Sequence, residues 1–474
     1  MPEKRHYHKL VSCECVDAML SSALRMVEQI GIETNRQDLI EKVEGLEGLS
    51  VNGNRICVAP EVVYEVIQQD QASEATYAAR PEKPTIRVPD RSTLIADHHE
   101  RALKPITRSD VIAGTKLIDS LTPRCVTGKT CGTPQDTSLP MQPIEQYMIG
   151  YRYNRHGGST SIPLTPQVAQ FLFEMREIAE DFDRRRRHFS VWVPSPLKLE
   201  GNELDDLLDS GAQVLSFYVG SMPLMGITGP VDPVGVYTLA LAETLGGAAI
   251  LHRVYPQAKA SIYPHPQPMD PRSGLMALGT LESNRLELLK KEILEHLGMP
   301  PKWKDNLTPS CMPDVQAQAD KMASVALGVA YGFTQFNMFP LCSDEAWSNV
   351  QVILDVEHVH TAWETQKPLT GIGRAEDALN TLTLSVQENW MPGEMEDTVL
   401  HLRENYYLSP LRRVYSSGQW NQRGRPDPLS DAEAYGQELI KKADYAPLED
   451  KFRKIMDIYH RACREFGAEP IEFD

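Results

Sequence analysis

Beyond about residue 120, the sequence alternates short apolar segments with amphipathic segments of helical length, and this alternation restricts the fold more than any other feature. Strands that are each followed by such a helix are typical of parallel βαβ units. We predict strands at residues 124–131, 157–164, 188–195, 213–220, 258–265, 305–311 and 333–339. A further strand at 381–389 would complete a closed TIM (β/α)8 barrel, so the predicted fold class is α/β.

Side chains that cap helices mark the segments between these strands. Asp232 stands before Pro233, a residue type favoured in the first helical turn. A second helix is predicted from about Thr280 to Gly298, and a third from about Asp314. Each of these helices directly follows a predicted strand, as a βαβ unit requires.

Three regions of the chain differ in pattern. Residues 1–115 contain a helical segment and a hairpin around Asn52 and Gly53, which predicts a cap region that precedes the barrel. Residues 116–400 carry the alternating pattern of the barrel domain. Residues 401–474 combine an irregular excursion with a terminal helical run, and we expect these C-terminal additions to pack on the outside of the barrel.

Charge and composition disfavour several classes of partner. The chain has 474 residues, of which 41% are hydrophobic, and a formal charge of −17. Such a chain lacks the concentrated positive surface that binds nucleic acid or anionic membranes. No apolar run approaches the roughly 20 residues that cross a bilayer. With eight dispersed cysteines and no CxxC pair, these features predict a cytoplasmic protein with reduced thiols.

Four blocks in a fixed order carry a family resemblance. Residues 220–250 read GSMPLMGITGPVDPVGVYTLALAETLGGAAI, and residues 262–300 begin IYPHPQPMDPRSGLM. Residues 311–332 read CMPDVQAQADKMASVALGVAYG, and residues 397–411 read DTVLHLRENYYLSPL. In this order the blocks resemble the trimethylamine methyltransferase (MttB) superfamily. The resemblance extends over nearly the whole chain, and the order is more specific than any single block.

The resemblance implies a TIM-barrel methyltransferase that works with a corrinoid protein. Members specific for trimethylamine carry a pyrrolysine near the end of barrel strand six, where this chain has Ser310, Cys311 and Met312. The sequence is therefore similar to the branch without pyrrolysine, whose characterised members demethylate glycine betaine and related quaternary amines. The expected reaction moves a methyl group from such an amine to the Co(I) centre of a cognate corrinoid protein, with no bound metal in the chain itself.

A quaternary ammonium group carries its own leaving group, because attack on one methyl carbon by cobalt(I) expels a neutral tertiary amine. The protein then needs no acid or base. It must hold the cation, exclude water and aim one methyl at the cobalt. Aromatic faces bind such cations, each contact contributing about 0.5–2 kcal/mol. The candidate rings are Trp192, Phe217, Tyr218, Tyr263 and Phe339.

A betaine also carries a carboxylate, which needs a cationic or hydrogen-bonding partner. His265 is the first candidate, and a hydrogen bond within its own PHPQP loop is the alternative for this side chain. Asn337 is a second candidate for orienting the carboxylate or a water molecule. Both residues belong to the predicted substrate-binding set.

Two further groups follow predicted strands. Cys311 and Asp314 are candidates for the reaction chamber, with burial of a small thiol and capping of a helix as the alternatives. Gly226, Gly229 and Pro230 are candidates for a loop that faces the corrinoid, and tight-turn geometry is the alternative for the glycines.

Two other functions stay open on the sequence. A zinc-dependent corrinoid methyltransferase for another methyl donor would need ligands such as Cys131, Cys311 and His265. A non-enzymatic binding protein for quaternary amines would need an aromatic cage without cobalt chemistry. For assembly, a symmetric homo-oligomer is the general expectation.

Overall fold

A computed structural model describes residues 9–72, 81–158, 165–180, 188–209, 214–299, 303–367, 374–394 and 396–473. The predicted strand at 157–164 therefore lies almost entirely outside the described residues. The fold is mixed α/β, with helices making up most of the regular structure.

Parallel strands form two sheets in the described part of the chain. One sheet has the order β11-β12-β4-β7 and the other has the order β10-β9-β8, and every neighbouring pair in both sheets is parallel. Their bounds are β4 (Thr85–Arg87), β7 (Val126–Thr127), β8 (His188–Val193), β9 (Ser216–Ser221), β10 (Lys259–Pro264), β11 (Trp303–Asn306) and β12 (Gln335–Met338).

The parallel strands confirm most of the sequence-based assignments. Strands β7, β8, β9, β10 and β12 each lie within or nearly within a predicted segment. Strand β11 is shorter and begins earlier than predicted, because the chain turns at Thr308 and Pro309. The Thr308 Oγ accepts a hydrogen bond from the Ser310 main-chain N–H at 3.1 Å, which bends the segment out of the sheet.

The predicted strand at 381–389 is wrong, because this segment is helical within Arg374–Glu388. Leu379, Leu382 and Val386 recur at helical spacing, and all three are exposed rather than buried in a sheet. The position beside β12 is taken instead by β4, which pairs with β12 on one side and with β7 on the other. This strand is three residues long and lies between prolines, so its alternation is too short to detect.

Antiparallel strands form two smaller sheets. The first has the order β1-β3-β2, with bounds Ile32–Glu33 for β1, Leu49–Asn52 for β2 and Arg55–Val58 for β3. Strands β2 and β3 form the predicted hairpin, in which Gly53 adopts a φ of 63°. The second sheet has the order β13-β5-β6, with bounds Leu94–Asp97 for β5, Ala102–Pro105 for β6 and Ala346–Trp347 for β13.

Helices follow most of the strands. Within the described residues they are α1 (Cys13–Gln29), α2 (Gln37–Val43), α3 (Pro60–Ala72), α4 (Arg108–Ser120), α5 (Gln142–Tyr153), α6 (Pro166–Ala179), α7 (Asn202–Asp209), α8 (Pro233–Val254), α9 (Leu281–His296), α10 (Val315–Ala330), α11 (Asn349–Thr365), α12 (Arg374–Glu388), α13 (Glu396–Asn405), α14 (Ser417–Gln422), α15 (Pro428–Lys441) and α16 (Glu449–Phe466).

The three helices begin where the sequence predicts, and each begins with a capping side chain. The side chains of Asp232, Thr280 and Asp314 accept hydrogen bonds from main-chain N–H groups in the first turns of α8, α9 and α10. These caps fix where each helix begins. They therefore also fix the length of the loop between each helix and the strand before it.

The largest apolar core surrounds α8, which packs against β8, β9 and β10 on one side and against α1 and α3 on the other. Helix α8 is the one helix of the described residues that is long and apolar enough to cross a bilayer, and 89% of its most apolar stretch is buried in the protein. A second core lies around β4, β12 and α11.

The C-terminal helices pack onto earlier parts of the chain. Helix α15 contacts α4 and α11, and α16 contacts α5 and α6. The Ser120 hydroxyl donates to the Leu439 carbonyl at 3.1 Å, which fixes α15 beside α4. Helices α12 and α13 do not bury their large apolar side chains in this way, and these side chains are exposed.

Candidate functional site

Three aromatic rings meet near the carboxyl ends of neighbouring parallel strands. Trp192 lies on β8, Tyr218 on β9 and Tyr263 on β10. The centroid of the Trp192 ring is 6.3 Å from that of Tyr218 and 6.1 Å from that of Tyr263, and both pairs meet edge to face. The strand ends therefore present an aromatic group on one face of the sheet.

Gly220 makes room for this group. In the sheet register it lies directly opposite both Trp192 and Tyr263. A Cβ at this position would lie 2.8 Å from Cε3 of Trp192, closer than carbon atoms approach one another. The glycine thus allows the indole to lie across β9.

The rings differ in how open they are. The Lys290 ammonium lies 4.4 Å from the centroid of the Tyr263 ring, and His265 stacks against the same ring at 5.0 Å. Tyr263 is therefore packed among charged groups. Trp192 is half-buried, and Tyr218 is 36% exposed. Tyr263 is half-buried as well, so Tyr218 is the most exposed of the three rings.

Of the two predicted phenylalanines, Phe217 lies in the core and Phe339 is half-buried beyond the end of β12. Phe217 is 1% exposed and belongs to the core that surrounds α8, because its side chain points to the opposite face from its neighbour Tyr218. Phe339 follows β12 and is fixed through its main chain: its N–H donates to the Asn306 carbonyl at 3.1 Å, and its carbonyl accepts from Lys321 Nζ at 2.5 Å. The structure does not bring Phe217 into the aromatic group.

A buried cluster of charged side chains adjoins Tyr263. The Lys290 ammonium donates to Glu287 Oε1 at 2.8 Å, and His265 Nδ1 lies 3.0 Å from the same oxygen. Both residues of this ion pair lie on α9, one helical turn apart. Helix α9 thus places a buried carboxylate, Glu287, and a buried ammonium group, Lys290, beside the carboxyl end of β10.

Asp305, on β11, is the second carboxylate of this cluster. It accepts a hydrogen bond from the Tyr263 hydroxyl and another, at 2.6 Å, from Asn337 Nδ2. His265 Nε2 lies 3.8 Å from it. Asn337 therefore belongs to this cluster, where it orients a carboxylate of the protein itself.

The hydrogen-bond network indicates the tautomer of His265. Gln267 Oε1 accepts from the Ser283 hydroxyl at 3.1 Å, so the amide N–H of Gln267 faces His265 Nε2, at 2.8 Å. Nε2 is then the acceptor and Nδ1 donates to Glu287. Both ring nitrogens are engaged, and the partner Gln267 belongs to the PHPQP loop that was the alternative reading for this histidine.

Burial and neighbouring charge shift the pKa of several groups. Burial and the Asp305 carboxylate raise the pKa of Tyr263 well above its usual value, which keeps the phenol protonated. Burial also opposes ionisation of Glu287, but the Lys290 ammonium and the hydrogen bond from His265 lower the pKa of Glu287 below its usual value. Glu287 and Lys290 therefore form a charged pair inside the protein.

A second buried lysine lies behind β11. Lys304 Nζ donates to Asn284 Oδ1 at 3.2 Å, to the Asp305 carbonyl at 2.7 Å and to the Ser324 hydroxyl at 2.8 Å. Burial lowers the pKa of Lys304 to about 8. This side chain joins β11 to α9 and α10 and adds positive charge behind Asp305.

Glu243, on α8, accepts hydrogen bonds that fix the loop after β8 and the carboxyl end of β9. Its carboxylate accepts hydrogen bonds from the Ser195 hydroxyl at 2.8 Å, from the Leu197 main-chain N–H at 2.9 Å and from the Ser221 hydroxyl. Burial raises the pKa of this carboxyl. The loops beside Trp192 are thus anchored from the core side.

Cys311 and Asp314 occupy the loop between β11 and α10. Asp314 Oδ1 accepts from the Ala317 N–H at 3.0 Å and from the Ser310 hydroxyl at 2.8 Å, so this side chain caps the helix and fixes the loop. Cys311 is exposed, and its Sγ lies 3.3 Å from Sγ of Cys342 in the loop after β12. The alternative interpretation, that Cys311 is a small buried thiol, therefore does not hold.

Gly226, Gly229 and Pro230 lie on the loop between β9 and α8, at the same strand ends. The Gly226 N–H donates to the Gly229 carbonyl at 2.9 Å, and Gly226 has a φ of 77°. Both observations show a tight turn. The Met225 N–H donates to the Gln267 carbonyl at 2.9 Å, which fixes this loop against the one after β10.

These two loops and the first turns of α8 and α9 expose apolar side chains to solvent. The exposed residues of this apolar rim are Met222, Ile227, Val231, Val234, Leu275 and Leu281. Adjacent exposed apolar side chains indicate a surface that meets another molecule. The rim lies on the loops next to Tyr218 and Tyr263.

Sequence reasoning missed Glu287, Lys290 and Asp305. The first two belong to a helix whose polar residues resemble an ordinary solvent-facing side, and only a packed helix reveals them as buried. Asp305 stood at the first position of a predicted strand, where it resembled a loop residue. Two of the parallel strands and one helix must be assembled before these charges meet.

Asp344, in the loop after β12, was also missed. Its carboxylate lies 3.8 Å from Nε of Arg91, and its Oδ1 is buried without a hydrogen-bond partner. Burial raises the pKa of Asp344 to about 7, and the Asp305 carboxylate acts in the same direction. The negative charge of Asp305, in the buried cluster, therefore affects the ionisation of Asp344 in this loop.

Two groups of the described residues have the composition and spacing of metal ligands. One consists of His98, His99 and Glu433, and the other of His265, Glu287 and Asp305. Neither contains a cysteine, so the described residues do not assemble the predicted zinc set of Cys131, Cys311 and His265. In the second group the Lys290 ammonium lies 2.8 Å from Glu287 Oε1, so this carboxylate already has a cationic partner.

The structure is thus an α/β protein whose parallel strands carry an aromatic group and a charged cluster at their carboxyl ends. The chain belongs to the trimethylamine methyltransferase (MTTB) family, whose sequence profile matches residues 2–467. The family membership predicted from the order of sequence blocks is thereby confirmed. A glycine betaine methyltransferase from Desulfitobacterium hafniense (strain Y51) is 19% identical over 335 residues, which are 67% of this chain and 68% of that protein.

Proposed function

We propose that this methyltransferase-family protein moves a methyl group from a quaternary amine, glycine betaine or a related betaine, to the Co(I) centre of a cognate corrinoid protein. The observation that carries the proposal is the group of Trp192, Tyr218 and Tyr263 beside the Asp305 carboxylate. Aromatic faces and a nearby negative charge are what a cation without N–H donors requires.

We also propose that the two parallel sheets close into a TIM barrel. Strand β4 pairs with both β7 and β12, so an early and a late strand are neighbours. The Tyr263 hydroxyl and Asp305 join the ends of β10 and β11 through their side chains. The barrel domain would then begin before Thr85 rather than at residue 116, and end before α12.

We place the cation against Trp192 and Tyr218, since Lys290 and His265 already pack against the ring of Tyr263. Tyr263 acts beside them, because its hydroxyl is fixed by Asp305 and its ring is packed against Lys290. The Asp305 charge acts through a buried, low-dielectric surrounding, where it attracts a cation more strongly than at a surface. Desolvation of the quaternary ammonium is offset by these contacts.

The carboxylate of a betaine needs a different partner from His265, since both ring nitrogens of His265 are engaged within the protein. We assign this role to Arg91, whose side chain is 67% exposed and 3.8 Å from Asp344 at the same end of the sheets. A guanidinium matches a carboxylate in charge and geometry. The substrate would then extend from the rings toward the loop after β4.

The corrinoid of the docked partner supplies the nucleophile when it is bound. This chain holds the ammonium group, keeps water away and presents one methyl group along the line of attack. The leaving tertiary amine is neutral, so no side chain has to move a proton. The apolar rim beside Tyr218 and Tyr263 is the surface that we assign to the corrinoid protein, with Gly226, Gly229 and Pro230 in its central turn.

The test is a panel of betaines with Co(I) cobalamin and the purified protein, followed by the absorbance change on formation of methylcobalamin. Conversion with one betaine supports the proposal. Binding of a betaine without conversion, with both free cobalamin and cognate corrinoid proteins, would leave a non-enzymatic binding protein. Stoichiometric zinc that is required for activity would favour the zinc-dependent alternative.

We further propose a cytoplasmic homo-oligomer. Helices α12 and α13 expose a row of large apolar side chains, among them Leu379, Leu382, Val386 and Leu400. Exposed apolar surface of this extent is unfavourable in water. A second copy of the same chain would cover it symmetrically.

A further inference from the structure

We propose that Cys311 and Cys342 form an oxidisable thiol pair, which a low-molecular-weight disulfide converts into a reversible Cys311–Cys342 crosslink at the mouth of the site. The two sulfur atoms lie 3.3 Å apart and come from different loops, one after β11 and one after β12. In a disulfide the sulfurs lie about 2.0 Å apart, so the bond needs a small approach.

The backbones of the two loops already hold the thiols in place. The Cys342 N–H donates to the Ser310 carbonyl at 2.8 Å, and the Ser343 N–H donates to the Thr308 carbonyl at 3.0 Å. Met312 and Leu341 share a small buried apolar cluster beside them. The loops therefore run side by side, and the sulfurs meet without a rearrangement of the main chain.

The loop that carries Cys342 is conformationally strained. Cys342, Ser343 and Asp344 have φ values of 56°, 55° and 89°, a left-handed turn without any glycine. Residues other than glycine are sterically disfavoured in this conformation and adopt it mainly as single residues. Strain of this kind persists where the surrounding structure enforces it, and it concentrates at functional and switching segments.

The crosslink forms in two thiol–disulfide exchange steps, and the exposure of the two thiols decides which one reacts first. Cys311 is exposed, whereas burial and the neighbouring thiol raise the pKa of Cys342 to about 12. The Cys311 thiolate attacks the small disulfide, forms a mixed disulfide and releases one small thiol. Cys342 then loses its proton and attacks the Cys311 sulfur, which forms the crosslink and releases the second small thiol. Two protein thiols are oxidised by two electrons, and one small disulfide is reduced.

The crosslink would control the proposed methyl transfer, and this part of the inference rests on the proposed function. Asp344 lies two residues beyond Cys342 and interacts with both Arg91 and Asp305. A covalent bond between the two loops would hold the strained turn in one conformation and restrict the approach to Trp192 and Tyr263. We therefore expect the crosslinked protein to bind betaine at least five-fold more weakly than the reduced protein.

The first measurement concerns the chemistry alone. The full-length protein is incubated with glutathione disulfide, the remaining thiols are alkylated, and the peptides are mapped by mass spectrometry. We expect a Cys311–Cys342 crosslink that dithiothreitol removes, and a stable glutathione adduct on Cys311 in Cys342→Ser. Cys13→Ser is the matched control, because Cys13 is exposed on α1 and its loss should not change the crosslink. If Cys311 and Cys342 both remain alkylatable after Cys13 has taken up glutathione, the thiol pair is refuted.

The second measurement is betaine affinity by calorimetry, without corrinoid or reductant, because reductants that generate Co(I) also cleave disulfides. The oxidised wild type should bind at least five-fold more weakly and recover after reduction. The double variant Cys311→Ser/Cys342→Ser should bind with the same affinity before and after glutathione disulfide. Equal affinity of the crosslinked and reduced wild type would refute control of the site. A reduced protein that binds no betaine would instead count against the proposed function, while the mass analysis still decides the thiol pair.

Discussion

The Tyr263 hydroxyl donates a hydrogen bond to the Asp305 carboxylate, and this contact joins β10 to β11 at their carboxyl ends. The bond keeps the phenol in one orientation beside Trp192 and holds a negative charge next to the rings. Burial of the Asp305 carboxylate strengthens the interaction. The aromatic group and the charged cluster are therefore parts of one site.

Asp305→Asn should weaken betaine binding about 10- to 100-fold, because the amide keeps the shape of the side chain but removes about 1.5–3 kcal/mol of charge interaction. Calorimetry with glycine betaine and related betaines measures this loss. Asp232→Asn is the matched control, since Asp232 caps α8 and asparagine caps equally well. Equal affinity of Asp305→Asn and the wild type would remove Asp305 from the binding site.

Gly220→Ala should weaken betaine binding while the protein stays folded, because the new methyl group would lie 2.8 Å from Cε3 of Trp192 and displace the indole. Trp192→Ala should have a larger effect, about 0.5–2 kcal/mol, since it removes the ring itself. Gly418→Ala is the control, because its added methyl group meets no atom within 4 Å. Affinity and circular dichroism are compared for the three variants. Unchanged affinity in folded Trp192→Ala would exclude this ring from the cage.

Asp344 should make the protein less stable as the pH rises from about 4 to about 7. Its pKa is about 7 in the folded chain against a usual 3.8, so the folded state holds the proton more tightly between these values. The stabilising contribution is complete below the lower value and is lost as the pH passes the upper one. Its upper limit is about 4 kcal/mol, from about 1.4 kcal/mol per pKa unit.

The measurement for Asp344 is urea unfolding at several pH values in this range. Asp344→Asn should flatten the pH dependence. Asp97→Asn is the control: hydrogen bonds from the Glu100 N–H and Lys104 lower the pKa of Asp97 to about 2, so this residue is already ionised throughout the range. An unchanged slope in Asp344→Asn would show that another group carries the effect.

The parallel strands and the helix caps could be predicted from the sequence, because apolar alternation and residues such as Asp232 act locally. Strand β4 could not, since three residues between prolines give no periodic signal. The segment around Leu382 misled for a related reason. Its alternation of threonine and leucine is typical of a strand, but Arg374–Glu388 is a helix with an uncovered apolar side.

The residues of the site also divide into those that the sequence could predict and those that depend on packing. Trp192, Tyr218, Tyr263 and Asn337 were identified because the carboxyl ends of parallel strands converge wherever such a sheet forms. The charged pair of Glu287 and Lys290 depends on how α9 packs, and the sequence shows only an ordinary polar spacing. Phe217 and Tyr218 could not both face the site, because neighbouring residues of a strand point to opposite sides of the sheet. The structure places Phe217 in the core.

Lys290→Met should destabilise the protein by about 3–5 kcal/mol, because it leaves the Glu287 carboxylate buried without its cation. Unfolding in urea measures the loss. The double variant Glu287→Leu/Lys290→Met should recover much of it, since apolar residues of similar volume replace the whole pair. Lys442→Met is the control, because its pair with Glu438 is exposed and contributes little. A double variant as unstable as the single one would show that His265 depends on Glu287 for its position.

Replacing Leu379, Leu382 and Val386 by glutamine should dissociate the proposed oligomer, because these side chains form the exposed apolar row of α12. Light scattering during size-exclusion chromatography gives the mass, and betaine affinity reports whether the site survives. The matched control replaces Glu376 and Asp377, on the first turn of the same helix, by glutamine and asparagine. If the wild type is monomeric, the row belongs to a different partner. A triple variant that remains oligomeric would place the contact between copies elsewhere on the chain.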